Sequence, residues 1–121
     1  MLIDDDEWIR GSMSLLFEGE GCPLMAVETA EEGMERLQMQ DYDVILVDYR
    51  LPGMDGLEFL DKIRDSHPHV LTLLITAYGS GSVVSKASDL GVNGFIDKPF
   101  TMETLEDALS RVIETQEASS S

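Results

Sequence analysis

Acidic side chains follow two apolar segments of the chain, at the points where strands of a sheet would end. Asp4 and Asp5 come directly after Met1–Ile3, and Asp48 follows the run Val44–Val47. If these ends meet, three carboxylates share one small space, where they raise one another's pKa unless a cation joins them. Because a cluster of oxygen ligands suits a hard cation, we expect this set to bind Mg²⁺, with Mn²⁺ able to substitute.

Two further side chains occupy comparable positions. Thr76 follows the apolar run Leu71–Ile75, and Lys98 comes just after Gly94–Ile96. A carboxylate can act as a nucleophile and form an aspartyl phosphate, while a metal, a lysine and a hydroxyl neutralise the oxygens of the transferred group. Asp48 is the best candidate for this nucleophile, since it ends the most buried run and leads into a Pro-Gly loop.

The elements that must position these residues alternate along the whole chain. Apolar runs predict five strands, at residues 1–3, 24–27, 44–47, 71–75 and 94–96. Helical spacing of apolar residues follows each run, at residues 7–20, after an N-cap at Thr29, from Leu57 to a break at 67–69, at 80–90 and from Thr101. This pattern indicates a doubly wound α/β fold with a five-stranded parallel sheet and right-handed crossovers. In such sheets ligands bind beyond the carboxyl ends of the strands, where the candidate residues fall.

Composition limits the function further. The chain has 121 residues, 43% of them hydrophobic, which fits one globular domain, expected at residues 1–115, with a disordered tail or linker remnant at 116–121. Its net charge of −16 repels phosphate backbones and anionic membranes, so we expect neither nucleic acid nor a membrane as a direct partner. Without a long apolar run or a second cysteine to pair with Cys22, a cytoplasmic location is expected.

The sequence resembles the receiver domain of two-component response regulators over essentially its whole length. Four blocks carry the resemblance, in order and at fitting spacings: Ile3–Asp6, Asp48–Gly56, Thr76–Ala77 and Lys98–Phe100. The resemblance implies a flavodoxin-like sheet of strand order 2-1-3-4-5 with five helices. It also implies that Asp48 accepts a phosphoryl group from a histidine kinase, a histidine phosphotransfer protein or a small donor such as acetyl phosphate. The peptide bond before Pro99 is often cis in this family.

The same resemblance assigns roles to individual residues. The Mg²⁺ ligands would be Asp5, Asp48 and the backbone carbonyl of Arg50, with Asp4 assisting through water. Phosphorylation would draw the Thr76 hydroxyl inward, and the aromatic ring of the second switch residue, Phe95, would follow it. The change would reshape the surface of the fourth helix, fifth strand and fifth helix, which would control an output domain or effector protein and could support a homodimer.

Some residues keep two interpretations. Arg50, Ala77 and Tyr78 would flank the phosphoryl group, where Tyr78 could shield it from water or simply cover the edge of the core. Trp8 is expected to pack at the start of the first helix rather than to contact a kinase. Asp4 and Asp5 could also form a solvated helix N-terminus, where acidic residues are favourable.

Three functions are compatible with this fold class. The main hypothesis is a phosphorylatable receiver that is not a turnover enzyme on outside substrates. A constitutive interaction domain that kept the fold and lost the switch is a second hypothesis, and the complete set of candidate residues argues against it. A phosphohydrolase acting on outside substrates is the third and weaker hypothesis, since the sequence shows no sign of a substrate pocket.

Overall fold

A computed structural model describes residues 1–19, 21, 24–77 and 81–120, with side chains described up to residue 115. In this part of the chain strands and helices alternate: β1 Leu2–Ile3, α1 Glu7–Gly19, β2 Ala26–Val27, α2 Ala30–Met39, β3 Val44–Asp48, α3 Gly56–Ser66, β4 Leu71–Thr76, α4 Gly81–Asp89, β5 Gly94–Asp97 and α5 Met102–Ser120. The strands form one parallel sheet of order β2-β1-β3-β4-β5, which confirms the predicted fold. None of the described helices is long and apolar enough to cross a bilayer.

Helices cover both faces of the sheet. Since neighbouring side chains of a strand point to opposite faces, each strand contributes to two cores. Ile45 and Val47 of β3 belong to the apolar cluster that includes buried residues of α2, α3 and α4. Leu46 belongs instead to the cluster built with α1 and α5. The continuous apolar run of β3 therefore fills two cores at once, as expected for a central parallel strand.

Side-chain caps define the start of four helices. In each, a side-chain oxygen accepts a hydrogen bond from a backbone N–H of the first turn: Asp6 from Trp8 (2.9 Å), Thr29 from Glu32 (3.1 Å), Asp55 from Glu58 (2.9 Å) and Thr101 from Thr104 (3.1 Å). Such a cap typically contributes about 1 kcal/mol. The predicted cap at Thr29 is confirmed, and Asp55, expected to act as a turn residue, caps α3.

The ends of two elements differ from the prediction. β2 begins at Ala26 rather than at residue 24, because its partner β1 offers only two residues for pairing. The backbone of α5 is helical to Ser120, where we expected a disordered tail from residue 116. Residues 114–118 contain neither glycine nor proline to end the helix. The domain boundary at residue 115 stays a prediction.

Gly56, the first residue of α3, lies directly against the end of β3. A Cβ atom at this position would be 2.6 Å from the carbonyl oxygen of Asp48 and 3.0 Å from the Cα of Tyr49. The backbone N–H of Gly56 also donates a hydrogen bond to the Tyr49 carbonyl at 3.0 Å. Since backbone atoms cannot move aside as a flexible side chain can, only glycine allows α3 to begin here.

Gly56→Ala is therefore expected to lower the free energy of unfolding by about 2 kcal/mol, because the added methyl group forces α3 and β3 apart. Urea denaturation measures this difference. Gly81→Ala is the matched control: Gly81 is the first residue of α4, and among the described residues a Cβ there meets no atom within 4 Å outside its own helix. That substitution is expected to leave stability unchanged or raise it by less than about 1 kcal/mol. Equal effects of the two changes would contradict the packing argument.

Candidate functional site

The carboxyl ends of four strands meet at one edge of the sheet and bring the predicted residues together. Asp48 and Thr76 are the last residues of β3 and β4, while Asp4 follows β1 and Lys98 follows β5. Because β1 lies directly beside β3 in the sheet, the residues after β1 reach the same space as Asp48. The edge that the sequence pattern indicated is thus the place where the polar residues converge.

Three carboxylates form the centre of this edge. One oxygen from each of Asp4, Asp5 and Asp48 lies within 4.8 Å of the other two. Asp4 is fully buried, Asp48 is 5% exposed, and Asp5 is open to solvent. The acidic cluster therefore has a closed side at Asp4 and a solvent-facing side at Asp5.

Lys98 pairs with both buried carboxylates. Its Nζ lies 2.8 Å from Oδ2 of Asp48 and 3.1 Å from Oδ2 of Asp4. Burial on its own lowers the pKa of Lys98, but the contacts with Asp48 and Asp4 outweigh it, so that the pKa is raised. Lys98 is therefore a cation at neutral pH and offsets part of the negative charge of the cluster. The Lys98–Pro99 peptide bond that follows is cis.

Ionisation is unfavourable at Asp4, the most buried carboxylate of the cluster. Burial is the main reason that its pKa is raised; the Asp48 charge adds to the rise, while the hydrogen bond from the Asp6 N–H opposes it. That N–H binds Oδ1 at 2.9 Å. Oδ2 has Lys98 nearby as an ion pair, but it accepts no directed hydrogen bond from the residues that the structure describes. A buried carboxylate oxygen in this state suits a metal ion or a water molecule held by one.

The segment after β3 curls back toward the Asp48 carboxylate. The backbone N–H of Arg50 donates to Oδ1 of Asp48 at 3.2 Å, and the N–H of Tyr49 donates to the carbonyl of Ile75 at 2.8 Å. The Arg50 side chain itself is exposed. These contacts bring the Arg50 backbone next to the acidic cluster, while the metal-binding role of its carbonyl stays a prediction.

The predicted switch residues lie on the neighbouring strands. Thr76 is buried, and its hydroxyl donates to Oδ1 of Asp97 at 3.3 Å rather than to Asp48. Phe95 is half-buried on β5 and packs against the cluster shared with α3 and α4. Ala77 is exposed beside Thr76. The predicted flanking residue Tyr78 lies outside the described residues.

Trp8 is not packed against the core, so that prediction is wrong. Its side chain is 77% exposed, because the inward face of α1 is formed by Ile9, Met13, Leu16 and Phe17, which lie on another side of the helix. Trp8 instead borders a groove of about 500 Å³ between α1 and the segment after β5, which Lys98 and Phe100 also line. The groove opens beside the acidic cluster.

Two residues that contact the site, Arg10 and Asp97, were not predicted from the sequence. Nη1 of Arg10 donates to the backbone carbonyl of Asp4 at 2.9 Å, and Asp97 accepts the hydroxyl of Thr76. The sequence did carry a signal for Arg10: it is one of only eight basic residues in an acidic chain, and it follows Asp4–Asp6 by about one helical turn. Asp97 offered a weaker signal, its position directly before Lys98.

The assembled groups match the needs of phosphoryl transfer onto a carboxylate. Such a transfer needs a nucleophile, an in-line path and positive charge or hydrogen-bond donors around the transferred oxygens. Asp48 offers the nucleophilic oxygen, the acidic cluster a set of oxygen ligands for a divalent ion, and Lys98 a fixed cation. Thr76 adds a hydroxyl within the same edge of the sheet.

Known proteins with the same sequence pattern and fold were found. A family model described as the response regulator receiver domain matches residues 1–110. Chemotaxis protein CheY-3 of Vibrio cholerae is 32% identical over 119 residues, which cover 94% of this chain and 90% of that protein. A crystal structure of a CheY-like response regulator receiver domain from Methanospirillum hungatei superposes with a TM-score of 0.87 at 27% identity, covering 97% of this chain and 94% of that one.

Other relatives are much longer than the matched region. A cyclic di-GMP phosphodiesterase of Thermotoga maritima is 32% identical over 105 residues, which are 87% of this chain but 28% of that protein. The response regulator protein FleR of Pseudomonas aeruginosa is matched over 24% of its length. The activities in these names therefore describe proteins of which this chain corresponds to about a quarter.

Proposed function

The chain belongs to the response regulator receiver domain family of two-component systems, and we propose that Asp48 is its phosphoryl acceptor. A phosphoacceptor role is typical of this family. One observation carries the assignment to Asp48: its carboxylate shares a 4.8 Å cluster with Asp4 and Asp5, and Lys98 Nζ lies 2.8 Å from it. Asp4 also lies in the cluster beside Lys98, at 3.1 Å, but it is fully buried, whereas Asp48 makes the shorter contact and keeps 5% of its surface exposed to an incoming donor.

Mg²⁺ is the cofactor that this donor set suits, with Mn²⁺ able to replace it. Asp5, Asp48 and the backbone carbonyl of Arg50 would hold the ion directly, and Asp4 would hold it through water. The fit rests on the all-oxygen donor set and on the buried Oδ2 of Asp4, which accepts no directed hydrogen bond from the described part of the chain. When bound, the ion supplies charge neutralisation of the acceptor and of the phosphoryl oxygens.

The reaction forms one bond and breaks another. A carboxylate oxygen of Asp48 attacks phosphorus, and the bond from phosphorus to the donor breaks, with its electron pair leaving on the histidine nitrogen or on the acetate oxygen. Lys98 stays within reach of Asp48 and pairs with an oxygen of the new phosphoryl group. Thr76 turns its hydroxyl from Asp97 to another of these oxygens.

The movement of Thr76 is the start of the proposed switch. As its hydroxyl leaves Asp97, space opens beside β5, and the half-buried ring of Phe95 follows inward. The surface formed by α4, β5 and α5 changes shape as a result, because a packed interface has discrete arrangements rather than a continuum. Arg50, Ala77 and Tyr78 flank the phosphoryl group and influence how long it survives.

Partners follow from this role. The phosphoryl donor is a histidine kinase, a histidine phosphotransfer protein or a small donor such as acetyl phosphate. The α4–β5–α5 surface controls an output domain or effector protein, and it is also the surface available for a homodimer. The strongly acidic chain makes no direct contact with nucleic acid or a membrane, acts in the cytoplasm, and turns over no outside substrate.

Mass spectrometry after incubation with acetyl phosphate and Mg²⁺ tests the proposal. We expect one added phosphoryl group per chain, and none when EDTA removes the metal, because three carboxylates whose charge Lys98 offsets only in part repel the anionic donor. Trp8, the one tryptophan of the chain, lies in the groove beside the cluster and should report Mg²⁺ by its fluorescence. A folded protein that gains no phosphoryl group with Mg²⁺ would instead be a constitutive interaction domain.

A further inference from the structure

A carboxylate from α2 holds the loop between β3 and α3. Oε1 of Glu31, in the first turn of α2, accepts a hydrogen bond from the backbone N–H of Met54 at 3.0 Å, across 23 positions of sequence. The loop approaches Glu31 closely at the preceding residue too, since a Cβ on Gly53 would lie 2.9 Å from Oε2. Gly53 has a φ of +75°, a conformation that glycine adopts without strain.

This contact fixes the part of the loop that its own strand does not hold. Near β3, the N–H of Arg50 donates to Asp48, and where the helix begins, the N–H of Gly56 donates to Tyr49. Met54 lies between these anchors. The hydrogen bond from Met54 therefore joins the middle of the loop to a different layer of the fold, so that the loop cannot shift without breaking it.

Arg50 lies in the same loop, and its carbonyl is the one metal ligand of the proposed site that comes from the backbone. A backbone carbonyl can be aimed only by fixing the chain around it. Hydrogen bonds that orient metal ligands from outside typically change metal affinity about 10- to 100-fold when they are removed. A carboxylate acceptor suits this task, since hydrogen bonds to an ionised group are stronger than those between neutral groups.

We propose that Glu31 is a positioning residue for the Mg²⁺ site. By accepting the hydrogen bond from the Met54 N–H, it holds the loop and orients the Arg50 carbonyl toward the metal. The inference rests on the proposed function, because it concerns the same metal. It gives α2 a part in metal binding although no residue of α2 belongs to the acidic cluster.

Calorimetric Mg²⁺ titrations of three variants test this role of Glu31. Glu31→Ala is expected to raise the Mg²⁺ Kd about 10-fold. Glu31→Gln should stay within about twofold of the unmodified chain, since the amide oxygen still accepts the Met54 hydrogen bond. Glu32→Ala is the matched control: it removes the same charge from the same exposed turn, and the hydrogen bond of Glu32 at this helix end is made by its backbone N–H. Its Kd is expected to change by less than about twofold.

A second measurement uses the metal-free protein. Amide hydrogen exchange at Met54 is expected to be about 10-fold faster in Glu31→Ala than in the Glu31→Gln or Glu32→Ala chains, because only the first variant loses the acceptor. Unchanged Mg²⁺ affinity in Glu31→Ala would overturn the proposal, as would equal weakening in Glu32→Ala, which would assign the effect to charge. If the unmodified chain binds no Mg²⁺ while amide exchange at Met54 still depends on Glu31, the proposed function fails and the hydrogen bond between Glu31 and Met54 is structural only.

Discussion

The Asp48→Asn chain is expected to gain no phosphoryl group from acetyl phosphate, a loss of at least about 10³-fold in rate. The asparagine amide oxygen is a poor nucleophile, because its electron pair is delocalised toward nitrogen and carries no negative charge. Asparagine has nearly the same shape as aspartate, so the hydrogen bond from the Arg50 N–H to this position can still form. Intact-protein mass spectrometry with Mg²⁺ present measures the effect.

Asp41→Asn provides the control for this experiment. Asp41 is an exposed aspartate shortly before β3, so it lies beyond the amino end of the strand, whereas Asp48 lies at its carboxyl end. The change has the same chemistry and charge, and phosphorylation is expected to match that of the unmodified chain. A phosphoryl group retained by Asp48→Asn would place the acceptor elsewhere, with Asp4 and Asp5 as the first positions to map.

Asp4→Asn is expected to move stability and metal affinity in opposite directions. Burial raises the pKa of Asp4, and the nearby Asp48 charge raises it further, so the ionised form costs free energy in the metal-free fold. Asparagine removes that charge but keeps an oxygen to accept the Asp6 N–H, and Lys98 keeps its contact with Asp48. We expect the metal-free chain to gain about 1 kcal/mol of stability, a type of gain common for functional sites.

The same change should weaken Mg²⁺ binding by about 10-fold or more, since it removes one of the three carboxylates around the ion. Thermal unfolding with and without Mg²⁺ measures both effects: a rise of about 4 °C without metal, and a smaller gain on adding metal than in the unmodified chain. Because the pKa of Asp4 is raised in the fold, its ionisation penalty is absent at low pH. The advantage of Asp4→Asn should therefore shrink as the pH falls toward 3.8, the ordinary value for aspartate.

Loss of stability in metal-free Asp4→Asn would show that the ion pair with Lys98 outweighs the desolvation of Asp4. Asp61→Asn serves as the comparison at a surface position. Its carboxylate forms an exposed ion pair with Arg64 at 3.2 Å, within α3. Such pairs contribute little, so this change is expected to alter stability by less than about 1 kcal/mol and to leave Mg²⁺ affinity unchanged.

The resemblance to receiver domains implied the order of the strands, and the strand pattern itself predicted that polar residues meet at one edge of the sheet. The continuous run of β3 can be buried on both faces only inside a parallel sheet, and parallel strands all present their carboxyl ends at the same edge. Once Asp4, Asp48 and Lys98 were recognised at strand ends, their proximity depended only on β1 lying beside β3, as the structure has it. Prediction failed where a single helical step decides exposure, as it did for Trp8, and where pairing depends on the length of a partner strand, as in β2.

What the sequence by itself determined is therefore the alternation of strands and helices and the kind of chemistry collected at the strand ends, because both follow from local pattern and parallel topology. Only the tertiary structure decided that Asp4 is the closed side of the cluster and Asp5 the open one, since that depends on how α1 leaves the sheet. It also decided that Glu31 reaches Met54 and that Arg10 reaches the carbonyl of Asp4. These contacts join different layers or turns of the fold, and their geometry depends on how the helices pack on the sheet.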